Sequence, residues 1–171
     1  MGVSLFSIRM PIFIAMIIFA VYGLKLIRLA HFDNRLPEYC FLAGISFMPV
    51  FVVMFRVGLD CNLMLSASTV FLYYLIKGIT TDKTSCYIGA GIWGGLVLYT
   101  YILSHLVLPL FLLLTVIYLV MIRKFRFRKW IFTAIPLGIL ATPLIGFHII
   151  NMLEMPDTKF GPFTLTRLWC Y

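Results

Sequence analysis

Charged residues are scarce in this chain, and acidic residues are the scarcest. Of its 171 residues only 12% are charged, and Asp and Glu together number 6. A soluble domain carries about 25% charged residues, so a water-exposed globular domain is excluded for most of the sequence. The apolar content is correspondingly high, at 63%, which indicates that lipid surrounds most of the chain.

The sequence also lacks the short motifs of several common enzyme classes. It contains no HExxH zinc motif, no GxSxG nucleophile motif and no glycine-rich phosphate loop. Its 4 cysteines show no CxxC or other metal-ligand spacing, and isolated cysteines usually act as small apolar residues. The residues themselves therefore predict no metal site and no cofactor.

Long apolar runs are what the sequence does contain. A helix needs ~20 mostly apolar residues to cross the hydrocarbon core, and strands are disfavoured because these runs are continuous rather than alternating. An uncharged stretch at 85–122 is too long for one crossing, so a turn is predicted at Ser104 and His105, before Pro109. The runs thus predict an all-α polytopic membrane protein of one domain, with about six transmembrane helices at 10–29, 39–55, 61–79, 85–103, 106–122 and 130–150, and an outer loop at 151–171.

The basic residues predict the orientation of these helices. If the crossings alternate, 10 of the 14 Lys and Arg residues lie in the loops after the first, third and fifth helices or near the helix ends that lead into them, above all in RKFRFRK at 123–129. Cytoplasmic loops are enriched in Lys and Arg. The loop 123–129 is therefore predicted to be cytoplasmic, with both termini outside, in a multi-pass protein of the plasma membrane. Topology and contact with membrane lipids, rather than nucleic acid, then account for the net charge of +8.

The stretch from Met48 to Asn62 is unusual because charged residues interrupt apolar sequence at a predicted outer surface. Arg56 and Asp60 are four residues apart, a spacing that brings two side chains to one face of a helix. They form either an interfacial ion pair or a functional pair, in which the arginine holds a phosphate and the carboxylate acts as a base or metal ligand. His105 is either a turn residue bonded to backbone or water, or part of a site.

Several stretches resemble those of a known family. The sequence SIRMP at 7–11 resembles the R-x-P start of a transmembrane helix in polyprenyl-phosphate-dependent glycosyltransferases of the GT-C class. That class includes protein O-mannosyltransferases and the lipid A aminoarabinose transferase. The segment 48–60 looks like a later helix that ends in an outer arginine, and GGLVLYTY at 94–101 looks like the helix after it. The segment 143–151 followed by FTLTRL at 163–168 is similar to a helix and outer loop of bacterial members.

The resemblance implies a partial GT-C-like bundle that transfers a sugar from a polyprenyl-phosphate-linked donor to an acceptor on the outer face. Asp60 is then the candidate within this chain for a catalytic carboxylate or metal ligand. In the family the main catalytic acid lies in an outer loop before the R-x-P helix, so this chain is expected to be a fragment that is inactive alone. Some members of the wider class use a divalent metal, which leaves a metal requirement open. The implied donor-binding residues are Arg9, Arg56, Asn62, His105 and Arg167.

Two other functions stay open at this point. A small transporter or channel-like protein would line a path with Arg56, Asp60 and His105, and its charged groups should then lie near the bilayer midplane. A non-catalytic membrane subunit would pack on a partner through the GxxxG pattern of Gly91 and Gly95, since small residues let helices approach closely in lipid.

Overall fold

Six helices and one short strand pair make up the described part of the chain. The structure, a computed structural model, describes residues 5–30, 35–49, 51, 53, 60–152, 158–160 and 163–165, with side chains for 10–30, 35–49, 51, 53 and 63–148. An antiparallel pair of strands, β1 (Thr158–Phe160) and β2 (Phe163–Leu165), lies in the predicted outer loop. The helices are α1 (Leu5–Leu29), α2 (Leu36–Phe47), α3 (Asp60–Thr81), α4 (Thr84–Thr100), α5 (Ser104–Met121) and α6 (Phe127–Met152).

Four of these helices are long and apolar enough to cross a membrane, at Met10–Leu29, Leu63–Thr81, Ser104–Met121 and Phe127–His148. α2 has 12 residues and α4 has 17, both fewer than the usual ~20. The prediction of a helical membrane protein is therefore confirmed, and four of the six predicted crossings meet the length and apolarity of a spanning helix. Large outer side chains such as Phe13 on α1 and Leu106 and Met121 on α5 are exposed, as lipid-facing residues are.

The second predicted span is interrupted. α2 ends at Phe47, because Met48 takes an extended backbone (φ −71°, ψ 118°) before Pro49, and the residue before a proline is disfavoured in the helical region. The ring of Phe51 then stacks on Phe19 of α1 with centroids 5.8 Å apart. The prediction of one unbroken helix over 39–55 therefore does not hold at Met48. Residues 50, 52 and 54–59 of this stretch lie outside the described part of the chain.

The centre of packing is α4, which contacts α3, α5 and α6. Its glycines permit the closest of these contacts. A methyl group built at Gly91 would lie 2.4 Å from the carbonyl oxygen of Thr133 in α6, and one at Gly95 would lie 2.5 Å from the Leu140 side chain. The interpretation of GxxxG as a helix-packing face is therefore confirmed, and the face is used within the chain.

The reversal between α4 and α5 is tight and bonded internally. Tyr101 ends α4 with an extended backbone. The Ser104 hydroxyl lies 2.9 Å from the carbonyl oxygen of Val97 and 2.5 Å from that of Tyr101, close enough to donate to either. Because carbonyls at a helix C-terminus lack partners within the helix, the fully buried Ser104 is well placed to satisfy one. The chain thus turns at residues 101–103, just before the predicted turn, and Pro109 lies inside α5.

Candidate functional site

Most of the predicted donor-site residues lie at the edges of what the structure describes. Arg9 belongs to α1, and Asp60 and Asn62 lie in the first turn of α3, but the side chains of all three are outside the described residues. Arg56 and Arg167 are outside them entirely. For Arg9, Asp60 and Asn62 the structure therefore defines only the backbone position and the helix to which each residue belongs.

α1 and α3 run parallel in a constant register. The buried Ser66 hydroxyl donates to the carbonyl oxygen of Ala15 at 2.8 Å, and these residues are 51 positions apart. Further along the same two helices, the rings of Tyr22 and Tyr73 meet edge to face at 5.4 Å with the same separation in sequence. Two contacts with one offset show that the helices stay aligned over this length.

The same register can be continued towards the N-termini of both helices. Arg9 of α1 is six residues before Ala15, and Asp60 of α3 is six residues before Ser66, so the register places the two at the same level. This level is about 9 Å from the Ala15–Ser66 contact, at ~1.5 Å per residue. Arg9 and Asp60, which the resemblance assigns to one site, therefore lie at the same end of the bundle and at the same depth.

An apolar groove lies just below this level, between α1, α3 and α4. It has a volume of about 740 Å³ and is lined by Pro11, Leu63, Ala67, Trp93 and Leu96, among others. Pro11 follows Arg9 by two positions, and Leu63 comes directly after Asn62. We call the end of the groove at Pro11 and Leu63 its mouth, and this end is close to the charged and polar ends of both helices.

The hydroxyl groups in the groove wall are already engaged. Thr100 donates to the carbonyl oxygen of Val97 at 2.7 Å, Tyr99 donates to that of Leu140 at 2.5 Å, and Ser66 donates to Ala15 as described. An incoming ligand therefore meets a wall whose polar groups have partners, which favours an apolar chain over a polar molecule.

His105 has a different environment from the one predicted for a donor-binding residue. Its Nε2 lies 2.8 Å from the carbonyl oxygen of Leu98, and its Nδ1 lies 3.2 Å from Nε2 of His148. The two rings are T-shaped with centroids 5.0 Å apart. They line a separate cavity between α4, α5 and α6, so His105 does not belong to the groove. The contact of Nε2 with the Leu98 carbonyl oxygen is one that a turn residue bonded to backbone would make.

Sequence reasoning missed His148 as the partner of His105. The available signal was a lone polar side chain near the end of the sixth apolar span, at 130–150, since polar groups at membrane depth usually face protein or a wet cavity. That signal would have made His148 a candidate functional residue, but it does not indicate that His148 contacts His105.

The opposite end of the bundle is joined by ion pairs. Asp82 lies between α3 and α4 and forms two ion pairs. One is with Arg126, just before α6, and the other is with Lys129 in the first turn of α6, at 2.5 Å. The hydrogen bond from Lys129, together with the charges of Arg126 and Lys129, holds the pKa of the Asp82 carboxyl below its usual range. These contacts confirm that two of the three basic loops share one end; the membrane face at that end stays a prediction.

A second pair at this end links α1 to α2. Arg28 donates to Glu38 at 3.0 Å, and this hydrogen bond is the main reason why the pKa of the Glu38 carboxyl is lowered. Lys25 and Lys77 lie near the same Tyr73 ring, with Nζ-to-centroid distances of 6.0 and 5.1 Å. The described basic side chains of α1 and α3 therefore gather at the end away from the groove mouth.

No group of three or more His, Cys, Asp or Glu side chains that could hold a metal ion occurs among the described residues. Cys40 and Cys86 are free thiols, while Cys61 and Cys170 are outside the described side chains. The arrangement thus offers an apolar groove with a polar mouth, a histidine pair and a basic end.

No protein-family model, curated protein or solved structure matches this chain.

Proposed function

We propose that this chain forms the donor-binding part of a membrane glycosyltransferase that uses a polyprenyl-phosphate sugar. The groove between α1, α3 and α4 holds the first isoprene units, and the end that carries Arg9 and Asp60 receives the phosphate and the sugar. The observation that carries the proposal is the coincidence of an apolar groove of about 740 Å³ with a common level for Arg9 and Asp60 at its mouth.

The chemistry of such a donor matches both halves of this arrangement. An isoprenoid chain is apolar and branched, and a wall whose hydroxyls already have partners accepts it at no hydrogen-bonding cost. A phosphate is best held by arginine, whose planar fork donates two hydrogen bonds at once. Arg9, Arg56 and Arg167 are the proposed arginines, with Asn62 as a neutral donor.

In the proposed reaction the acceptor hydroxyl attacks the anomeric carbon of the sugar. The new bond joins the acceptor oxygen to that carbon, the bond from the carbon to the phosphate oxygen breaks, and the lipid phosphate leaves with the electron pair. A carboxylate takes the hydroxyl proton, and the arginines stabilise the negative charge that develops on the phosphate. Asp60, level with Arg9 on the neighbouring helix, is the proposed carboxylate of this chain.

The competing functions fit the described contacts less well. The glycines of the GxxxG pattern pack against Thr133 and Leu140 of the same chain, so that face is not available to a partner subunit. The described ion pairs lie at one end of the bundle, and α4 and α5 carry no charged residue. A transport path would instead place charged groups near the midplane.

The groove can be tested with a pair of variants on one helix. Leu96 lines the groove and is 39% exposed, whereas Ile92, one turn earlier on α4 and 42% exposed, does not line it. Leu96→Trp should exclude about two methylene groups of a bound chain, which costs ~1.6 kcal/mol at ~0.8 per methylene, or about fifteenfold in affinity. Ile92→Trp should leave binding unchanged.

The readout is labelling of the purified chain by a photoreactive polyprenyl phosphate, titrated to obtain an affinity. Arg9→Ala should weaken labelling by the phosphate-bearing probe while leaving labelling by the matching polyprenol unchanged. Equal affinities for Leu96→Trp and Ile92→Trp would show that the groove does not hold the lipid, and the proposal would then be abandoned.

A further inference from the structure

The pair formed by His105 and His148 is not used by the proposed function. It joins the first turn of α5 to the last part of α6, and the two nitrogens that face each other, Nδ1 of His105 and Nε2 of His148, are 3.2 Å apart. We propose that this pair binds a divalent transition-metal ion of the copper or zinc class.

The distance between the two nitrogens is that of neighbouring ligands on one metal. Metal–nitrogen bonds of ~2.0–2.1 Å that meet at about 90–110° hold their nitrogens roughly 2.8–3.4 Å apart, and the observed separation of 3.2 Å lies within that range. The ion replaces the proton that the two nitrogens share and lies to one side of the line between them. Each imidazole ring turns until the lone pair of its facing nitrogen points at the ion.

The hydrogen bonds already prepare His105 as a ligand. Its Nε2 donates to the carbonyl oxygen of Leu98 at 2.8 Å, which leaves the lone pair on Nδ1, the nitrogen that faces His148. A metal-binding histidine typically donates its other N–H to a carboxylate or backbone carbonyl in this way. His148 becomes a ligand in the tautomer that carries its proton on Nδ1, because the lone pair of Nε2 then faces His105.

The surroundings determine which ions are accepted. The cavity beside the histidines has a volume of about 280 Å³, and its other lining residues, such as Leu108, Leu112 and Ala141, are apolar. Two imidazoles without a carboxylate suit Cu²⁺, Ni²⁺ and Zn²⁺ and reject Mg²⁺ and Ca²⁺, with Cu²⁺ bound most tightly. The remaining coordination positions are left to water or to a small ligand in the cavity.

Cu²⁺ titration of the full chain, purified in detergent without a polyhistidine tag, tests this inference. One equivalent should bind, and its electron paramagnetic resonance spectrum should show two imidazole nitrogens. Losing either ligand should weaken binding by at least the ~10–100-fold that a supporting partner of a metal ligand is worth. His105→Ala and His148→Gln are the test variants, and His148→Gln keeps an amide that can hydrogen-bond to His105 if the alanine variant fails to fold.

His31, the third histidine of the chain, supplies the matched control. His31→Ala should retain the affinity and the spectrum of the unaltered chain. The inference is overturned if His148→Gln binds Cu²⁺ as tightly as the unaltered chain, if His31→Ala loses as much affinity, or if the spectrum shows a single nitrogen. None of these outcomes depends on sugar transfer or on lipid binding.

Discussion

Replacing Gly91 with alanine is expected to separate α4 from α6 and to destabilise the bundle. The added methyl group would lie 2.4 Å from the carbonyl oxygen of Thr133 and 2.5 Å from Cγ of Pro136. The first of these atoms belongs to the backbone and the second to a rigid ring, so neither can rotate away. Restoring a normal contact of about 3.4 Å requires the helices to move apart by about 1 Å.

The magnitude follows from what that movement breaks. The Thr133 hydroxyl is 2% exposed and donates to the Tyr87 carbonyl oxygen of α4 at 3.0 Å; a shift of about 1 Å takes this bond beyond hydrogen-bonding distance. A buried polar group without its partner costs ~1–3 kcal/mol, and overpacking costs a further ~1–3 kcal/mol. Alanine returns ~0.5–1 kcal/mol through its higher helix propensity. Gly91→Ala should therefore lose on the order of 2–4 kcal/mol.

The assay is unfolding of the purified chain in mixed micelles, followed by far-ultraviolet circular dichroism as the denaturing detergent is increased. Gly138→Ala on α6 is the matched control, because a methyl group there has nothing within 4 Å; it should be neutral or slightly stabilising. Thr133→Val should be costly alone but nearly free in the Gly91→Ala background, where the hydrogen bond is already lost. A Gly91→Ala variant as stable as Gly138→Ala would refute the close contact between α4 and α6.

Two further predictions concern the basic end. Asp82 and Glu38 have folded-state pKa values below their unfolded values, so the stability that they contribute is present above the unfolded pKa of ~4 and is lost as pH falls through the folded pKa. Asp82→Asn should weaken this acid dependence in the unfolding assay. Asparagine is chosen because it tolerates the left-handed backbone at this position (φ 58°). An unchanged pH profile would contradict the ion pairs. In a cysteine-free background, Lys124→Cys should react with an impermeant thiol reagent only after the cells are opened, and Ile102→Cys, at the other end of the bundle, should react in intact cells. The reverse pattern would invert the predicted topology.

Much of the architecture could be predicted because it depends on local composition. The predicted spans 61–79 and 130–150 start and end within three residues of α3 and α6, since charged residues border these apolar stretches. The break at Met48 was not predicted, although Pro49 was its signal, because a membrane helix can also accommodate a proline, as α5 accommodates Pro109.

The candidate site was less predictable. Arg9 and Asp60 were assigned to one site by resemblance, and their common level rests on the contacts Ala15–Ser66 and Tyr22–Tyr73. His105 was assigned to the same site and instead pairs with His148 at a separate cavity. Each histidine is a polar residue in an apolar stretch, but nothing in either helix alone indicates that the two meet.

The sequence by itself determined that this chain consists largely of apolar helices suited to a membrane, with basic residues clustered at 123–129, because hydropathy and charge are properties of short stretches. It also determined that Gly91 and Gly95 would allow a close helix contact, since they follow the spacing of one helical face. Only the tertiary structure decided which helix fills that face, how α1 aligns with α3, and that His105 meets His148 from 43 residues away. These are relations between helices, and they are set by how side chains from distant segments fit together.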